Sequence, residues 1–398
     1  ANTTGTGNTA VGTNALDAAT TANNNTAVGI HSLGTNTTGY NNVGCGAYSL
    51  RYNTEGFENV AVGYSALEAN TTGDFNIGIG RSALKTQTTA NHNIAIGYQA
   101  GEDITTGQQN TAVGSQALKD GTTAAQNVAI GAFSLDALLN GAFNVAVGNQ
   151  ALGAATSSNQ NTAVGYRAML STTTGAENVA VGGDALSTNT TGSSNVSVGQ
   201  GSLENSTTAS NNTAVGKDAL NQNTTGTNNV AVGAYSLDAN TTGDSNVAHG
   251  TSTLSANTTG INNTAVGHSA GALNTTANNM TAVGYAALNQ NTTGASNTAI
   301  GRDALEKNTT ADNNTACGSF TLQDNTTGAS NTAVGRSALE NNTTANENTA
   351  VGMNALKINT EGARNVAVGY SALDANTTAS QNTAIGYEAM TSCTTGYS

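Results

Sequence analysis

Four histidines, three cysteines and 24 carboxylates are the side chains from which this chain could build a reactive centre. A metal site needs three or four ligands that converge. His31, His92 and His268 are isolated from one another along 398 residues, so they supply none. Asp74, Asp244 and Asp312 recur at one place in the sequence pattern but never in adjacent repeats, which defeats a ladder of calcium sites. No Ser/His/Asp or Cys/His set recurs that could activate a nucleophile. The 48 glycines punctuate short apolar runs instead of opening a helix, as a phosphate-binding loop would require. Three cysteines cannot form a disulfide framework. The expectation is a chain with no catalytic residues, no cofactor and no metal.

The elements that would have to position such groups are set by a repeat. Starting at Asn8 and stepping by 17, every coil aligns without insertion or deletion to Ser398. Residues 1–7 are a partial coil, and 8–398 form a continuous array of 23 coils with the consensus N-T-A-V-G-x-x-A-L-x-x-N-T-T-G-x-x. Coil positions are numbered from that first Asn. Position one is Asn except at Met280. Position two is Thr, Val or Ile, position three is Ala, Gly or Ser, and position five is always Gly. Position four is Val or Ile except at Cys45, His249 and Cys317. Position nine is Leu or Met except at Gly101 and Gly271.

All 35 charged residues fall at positions six, seven, ten, eleven, fourteen, sixteen or seventeen. An unpaired buried charge is very costly, so the ten charge-free positions are expected to face protein or a crowded turn. Seventeen residues are too few for a two-helix repeat, and Thr, Asn and Gly are poor helix formers. The fold class expected is all-β: a parallel β-solenoid, one coil per repeat, with like positions stacked about 4.8 Å apart. Positions two to four read as one strand, eight and nine as a second, and Asn-Thr-Thr-Gly at twelve to fifteen as a corner. The core is expected from Val and Ile at two and four with Leu at nine. Asn at position one and Thr at thirteen are expected to stack in hydrogen-bonded ladders. The small Asn-Ala-Gly face then remains, either as a tight corner or as a surface for lateral association of identical chains.

On that map His249, Cys45 and Cys317 become buried oddities in the core row. The Asn-Thr-Thr turns match the N-x-[ST] acceptor pattern at Asn2, Asn36, Asn70, Asn189, Asn223, Asn240, Asn257, Asn274, Asn291, Asn308, Asn325, Asn342 and Asn376. Two readings stay open for them: glycan attachment, or a favourable turn. Glu55 and Glu361 place position fourteen in water, which makes its Thr residues the exposed hydroxyls. Tyr64, Tyr98, Tyr166, Tyr285, Tyr370 and Tyr387 share position six and are expected to point outward.

The net charge of −13 argues against nucleic-acid binding and against docking on anionic lipid. No apolar run approaches the ~18 residues of a membrane helix, so membrane insertion is not expected. No signal peptide is visible, and the chain starts at Ala1 without a polar cap at either end; a window on a longer array, or a unit joined end to end into a filament, is expected.

The stretch N-[TV]-A-[VI]-G-x-x-A-L, as at Asn161–Met169 and Asn212–Leu220, resembles the head repeat of trimeric autotransporter adhesins. It is more similar still to the NTAVGYxALxxNTTG arrays of bacteriophage tail-fibre-like proteins. The adhesin repeat is shorter, and no stalk, anchor or chaperone domain accompanies the array here. The resemblance implies a left-handed β-roll, a parallel homotrimer and a fibre located outside the cell, on the cell surface or on a virion. The function expected is therefore a structural rod or shaft whose partner is itself. The alternatives are an ice-binding or glycan-binding solenoid using stacked Thr and Asn rows, with surface glycan as partner.

Overall fold

In the computed structural model, which describes residues 3–394, each coil contributes one three-residue strand at positions two to four. The chain divides into two compact units, Ala1–Asn195 and Val196–Ser398. The first holds β1 (Thr9–Val11) to β11 (Val179–Val181), and the second holds β12 (Val196–Val198) to β23 (Thr383–Ile385). Within each unit every strand pairs in parallel with the next, residue i against i+17, as in Thr9↔Thr26 and Thr213↔Val230. Each unit is thus a parallel β-solenoid, and the 17-residue period is the pitch of its coil. The second strand expected at positions eight and nine is absent: positions six to eleven form a continuous turn.

The turn is built from left-handed residues. Positions seven, nine and seventeen have φ near +55°, as at Ser65, Leu67 and Phe75. A Leu in that conformation is strained by about 1–2 kcal/mol. Complete burial of its side chain is worth about 1.5–3 kcal/mol and offsets the strain, and Leu67 and its counterparts are fully buried. The Gly at position five has a different cause. Its φ lies between +125° and +143° in every coil, and a Cβ there, as at Gly63 or Gly233, would strike the backbone carbonyl of the next coil's Gly.

The strand faces are opposite to expectation. Position three is the buried one, as at Ala27, Ala61, Ser197 and Ala282, while positions two and four are half-buried or exposed in every coil. The interior is therefore Ala at three, Ala, Ser or Thr at eight, Leu at nine, and Asn at one and twelve. A 17-residue coil encloses a narrow space. Leu fills it from the turn, so the strand opposite can contribute only a methyl group or less. The expected core rows of Val and Ile line the outside, and the Asn-Ala-Gly face proposed for lateral association lies inside.

Buried Asn at position one, and at position twelve in most coils, is costly unless its amide is hydrogen-bonded. At position one, Asn59 donates its backbone N–H to Asn42 Oδ1 (2.9 Å) and its Nδ2 to the Gly73 carbonyl (2.8 Å), and the pattern recurs along each unit. The Asn59 side chain thus ties its own coil to the next, because its Oδ1 accepts the Asn76 backbone N–H (2.9 Å). The expected amide ladder is present at position one, where Asn59 Nδ2 also donates to Asn42 Oδ1 (3.2 Å) and Asn76 Nδ2 to Asn59 Oδ1 (3.1 Å), and a second ladder runs at position twelve. Of the ten consecutive asparagines from Asn223 to Asn376, the last nine each donate Nδ2 to the Oδ1 of the one before, at 2.7–3.2 Å. Thr at thirteen donates its hydroxyl to the next coil's carbonyl, as from Thr241 to Thr258 (3.1 Å), so it does not stack hydroxyl on hydroxyl.

The two coils with Gly at position nine are repaired locally. A Cβ on Gly101 would lie 3.0 Å from Ile104 Cδ1, and one on Gly271 would lie 2.8 Å from Met280 Cε. Ile104 and Met280 replace the Asn of positions twelve and one, and both are buried in the space the Leu would occupy. Ile104→Asn is expected to cost about 2–4 kcal/mol, the price of a large-to-small change in a core. The double change Gly101→Leu/Ile104→Asn, which restores the consensus pair, should recover most of it. Urea titration of the single and double variants, read as a double-mutant cycle, checks this; additive losses would contradict it.

Candidate functional surface

The outer face of each unit's sheet is the structure's most regular surface feature. Its two columns, positions two and four, hold only Thr, Val and Ile apart from Cys45, His249 and Cys317. Val28, Val62, Ile79, Ile96, Ile130 and Val181 are 36–40% exposed in the first unit, and Val266, Ile300, Val334 and Val351 are 37–42% exposed in the second. No charge interrupts either column in any coil. Monomeric proteins rarely expose contiguous apolar patches larger than a few hundred Å², and larger ones mark interaction sites. Burial within the chain explains why charges are excluded from positions one, three, eight, nine and twelve. It does not explain their exclusion from two and four.

Charges elsewhere follow the expected map, except that Asp303 at position seven is buried, 2.9 Å from Arg302 Nε. Ion pairs join neighbouring coils, as in Lys307–Asp324 (2.7 Å) and Arg364–Glu347 (2.8 Å). Both are solvent-exposed and worth at most about 1 kcal/mol.

Cys45, Cys317 and His249 are exposed on the sheet face, which corrects their assignment to the core. They are tolerated at position four because that column points outward. The glycan acceptors are corrected in the opposite sense. Asn36, Asn70, Asn189, Asn223, Asn240, Asn257, Asn274, Asn291, Asn308, Asn325, Asn342 and Asn376 are all fully buried, with their amides bonded inside the coil. A glycan on any of them has no path out of the folded solenoid. Asn2 lies outside the described residues. Position fourteen is exposed throughout the described coils, as expected, but Glu55, Asn140, Ser157 and Glu361 interrupt its Thr row.

No protein-family model and no curated protein matches the chain.

The remaining surface offers little for chemistry. Among the described residues no three His, Cys, Asp or Glu side chains are grouped to hold a metal, and no helix is long and apolar enough to cross a membrane. The Tyr residues of position six are exposed as expected, between 41% and 74%. Sequence reasoning missed the ring stacks. Tyr40, Phe57, Phe75 and His92 form a continuous run of ring contacts at positions sixteen and seventeen, with centroids 4.8–5.2 Å apart and Phe57 edge-on to Phe75. Their occurrence in consecutive coils was the available signal. Because the rings satisfy one another, this is packing along the coil axis.

Two shallow grooves contain half-buried Asp residues at position ten. One, of about 310 Å³, is lined by Phe133, Asp136, Gln150, Leu170 and Ser171, and the other, of about 340 Å³, by Asp218, Asn221, Tyr235 and Asp238. Burial raises the Asp136 carboxyl to about 6, and burial likewise raises Asp238. A carboxyl whose folded value lies above its unfolded one holds its proton more tightly when folded, so stability rises as pH falls from above 6 towards 4. Urea midpoints of the parent are therefore expected to increase between pH 7 and pH 5, and Asp136→Asn should remove part of that increase. An unchanged pH profile in the variant would contradict this assignment.

Proposed function

We propose that this chain is a structural, non-catalytic shaft segment of a fibre outside the cell or on a virion. Copies lie parallel and bury their sheet faces against one another, as a homotrimer of left-handed rolls. The observation that carries this reading is the sheet face, charge-free and half-buried or exposed in all 23 coils and β-branched apart from Cys45, His249 and Cys317. β-Branched side chains are stiff and lose little rotamer freedom when covered, which suits them to an interface. A second copy is the occupant that fits best, because the face is charge-free in every coil, so copies related by rotation about an axis along the rod bring apolar rungs together at each level and close into a ring. Sedimentation equilibrium is expected to give about three times the 39.4 kDa chain mass. A mass of one chain at micromolar concentration would sink the proposal.

One observation favours a second reading. Position two is Thr in six consecutive coils from Thr264 to Thr349, beside Val266, Val283, Ile300, Cys317, Val334 and Val351. Rows of hydroxyl and methyl groups on an uncharged sheet are suited to binding ice. A single-chain mass together with strong thermal hysteresis would favour that reading over the fibre.

A further inference from the structure

Copies packed through a face of near-identical rungs face a register problem. A slip by whole coils, each about 4.8 Å along the axis, still lays β-branched rows together. Position two removes only part of the ambiguity. Within the second unit it reads V-T-V-V-T from Val196 to Thr264, so a slip of three coils keeps hydroxyl opposite hydroxyl there. The six-Thr run after it tolerates further slips.

His249 is the exception that a slip cannot ignore. It is the only nitrogen-bearing side chain in either column. It is exposed, it lies between Val232 and Val266 on the adjoining rungs, and its imidazole makes no hydrogen bond within the described chain.

Resting on the self-association reading above, we propose that His249 fixes the axial register of the assembly. With copies in register, imidazole meets imidazole, and one ring's N–H can donate to the unprotonated nitrogen of another. A slip of three coils instead places the ring against Val198 or Ile300, burying a polar group without a partner. A slip of four coils toward Cys317 offers one ring a thiol in place of an imidazole. A single polar residue in an apolar seam sets register in coiled coils by the same logic.

The test uses the full chain with Cys45→Val, Cys317→Val and Cys393→Ser, spin-labelled at Thr276→Cys, an exposed site away from the sheet face. Pulsed dipolar spectroscopy of the assembly should give one narrow inter-chain distance. Adding His249→Val should leave the sedimentation mass unchanged but spread the distances to longer values, as slipped registers are populated. His249→Asn, which keeps a donor and an acceptor, should restore the narrow distribution. A narrow distribution in His249→Val, or loss of assembly in it, overturns the register role. A single-chain mass in the labelled parent overturns the self-association reading instead.

Discussion

Val181→Lys is expected to convert the assembly to single chains while leaving the coil folded. Val181 is 38% exposed, so a lysine there can extend into water from an isolated chain. Such a surface change costs within about 0.5 kcal/mol of fold stability. In the assembly the same ammonium would be buried among methyl groups, at a cost of several kcal/mol per ion. Every copy carries the substitution, and each 1.4 kcal/mol is a factor of ten in affinity. Association should therefore weaken at least about 100-fold. Circular dichroism and sedimentation velocity together check both halves of the expectation. The contrasting change is Asn178→Lys, three residues earlier on the buried side of the coil. It should unfold the region, since Asn178 Oδ1 accepts the Asn195 N–H and its Nδ2 holds the Gly192 carbonyl. If Val181→Lys retained the parent's oligomer mass, the sheet face would not be the interface.

The largest loss of fold stability expected from one methyl group is at position five. Gly233 has φ +133°, a region nearly closed to other residues. A Cβ there would press on the carbonyl of Gly250, which is backbone and cannot rotate away. The conformational strain is about 1–3 kcal/mol, and overpacking adds a similar 1–3 kcal/mol. Gly233→Ala should cost about 3–5 kcal/mol. Gly183 provides the control: nothing lies within 4 Å of the Cβ that would be added and its φ is not left-handed, so Gly183→Ala should be nearly neutral. Chemical denaturation of the two variants decides the matter, and equal midpoints would refute the role given to position five. In a solenoid each coil contacts only its neighbours, so the loss should appear first in hydrogen exchange of the flanking coils.

The period, the coil and the unvarying Gly were legible in the residues because each is a constraint on backbone, repeated in every turn. The inside and the outside were not. Val and Ile at positions two and four look like a core, yet exposed apolar residues are common and carry little information. Two signals pointed the other way. Position three admits only Ala, Gly or Ser, the restriction expected of a site with no room, and position four admits His249 and two cysteines, the tolerance expected of a surface. Asn36 and its counterparts read as glycan acceptors because the motif is local, whereas their burial depends on Leu and Asn from neighbouring coils filling the same narrow space. The Gly101–Ile104 and Gly271–Met280 exchanges were invisible for a related reason: positions nine, twelve and one meet only once the coil closes.

The thiols at position four give the most direct test of the claim that the sheet face is covered by other copies. Cys45 and Cys317 are exposed in a single chain, and the half-buried Cys393, at position twelve, lies off that face. Alkylation rates should be compared between the parent and the dissociated Val181→Lys variant. Cys45 and Cys317 are expected to be protected at least about tenfold in the parent and to react freely in the variant, following the affinity lost, while Cys393 reacts alike in both. Free reaction of Cys45 and Cys317 in the parent, at its native mass, would contradict the account.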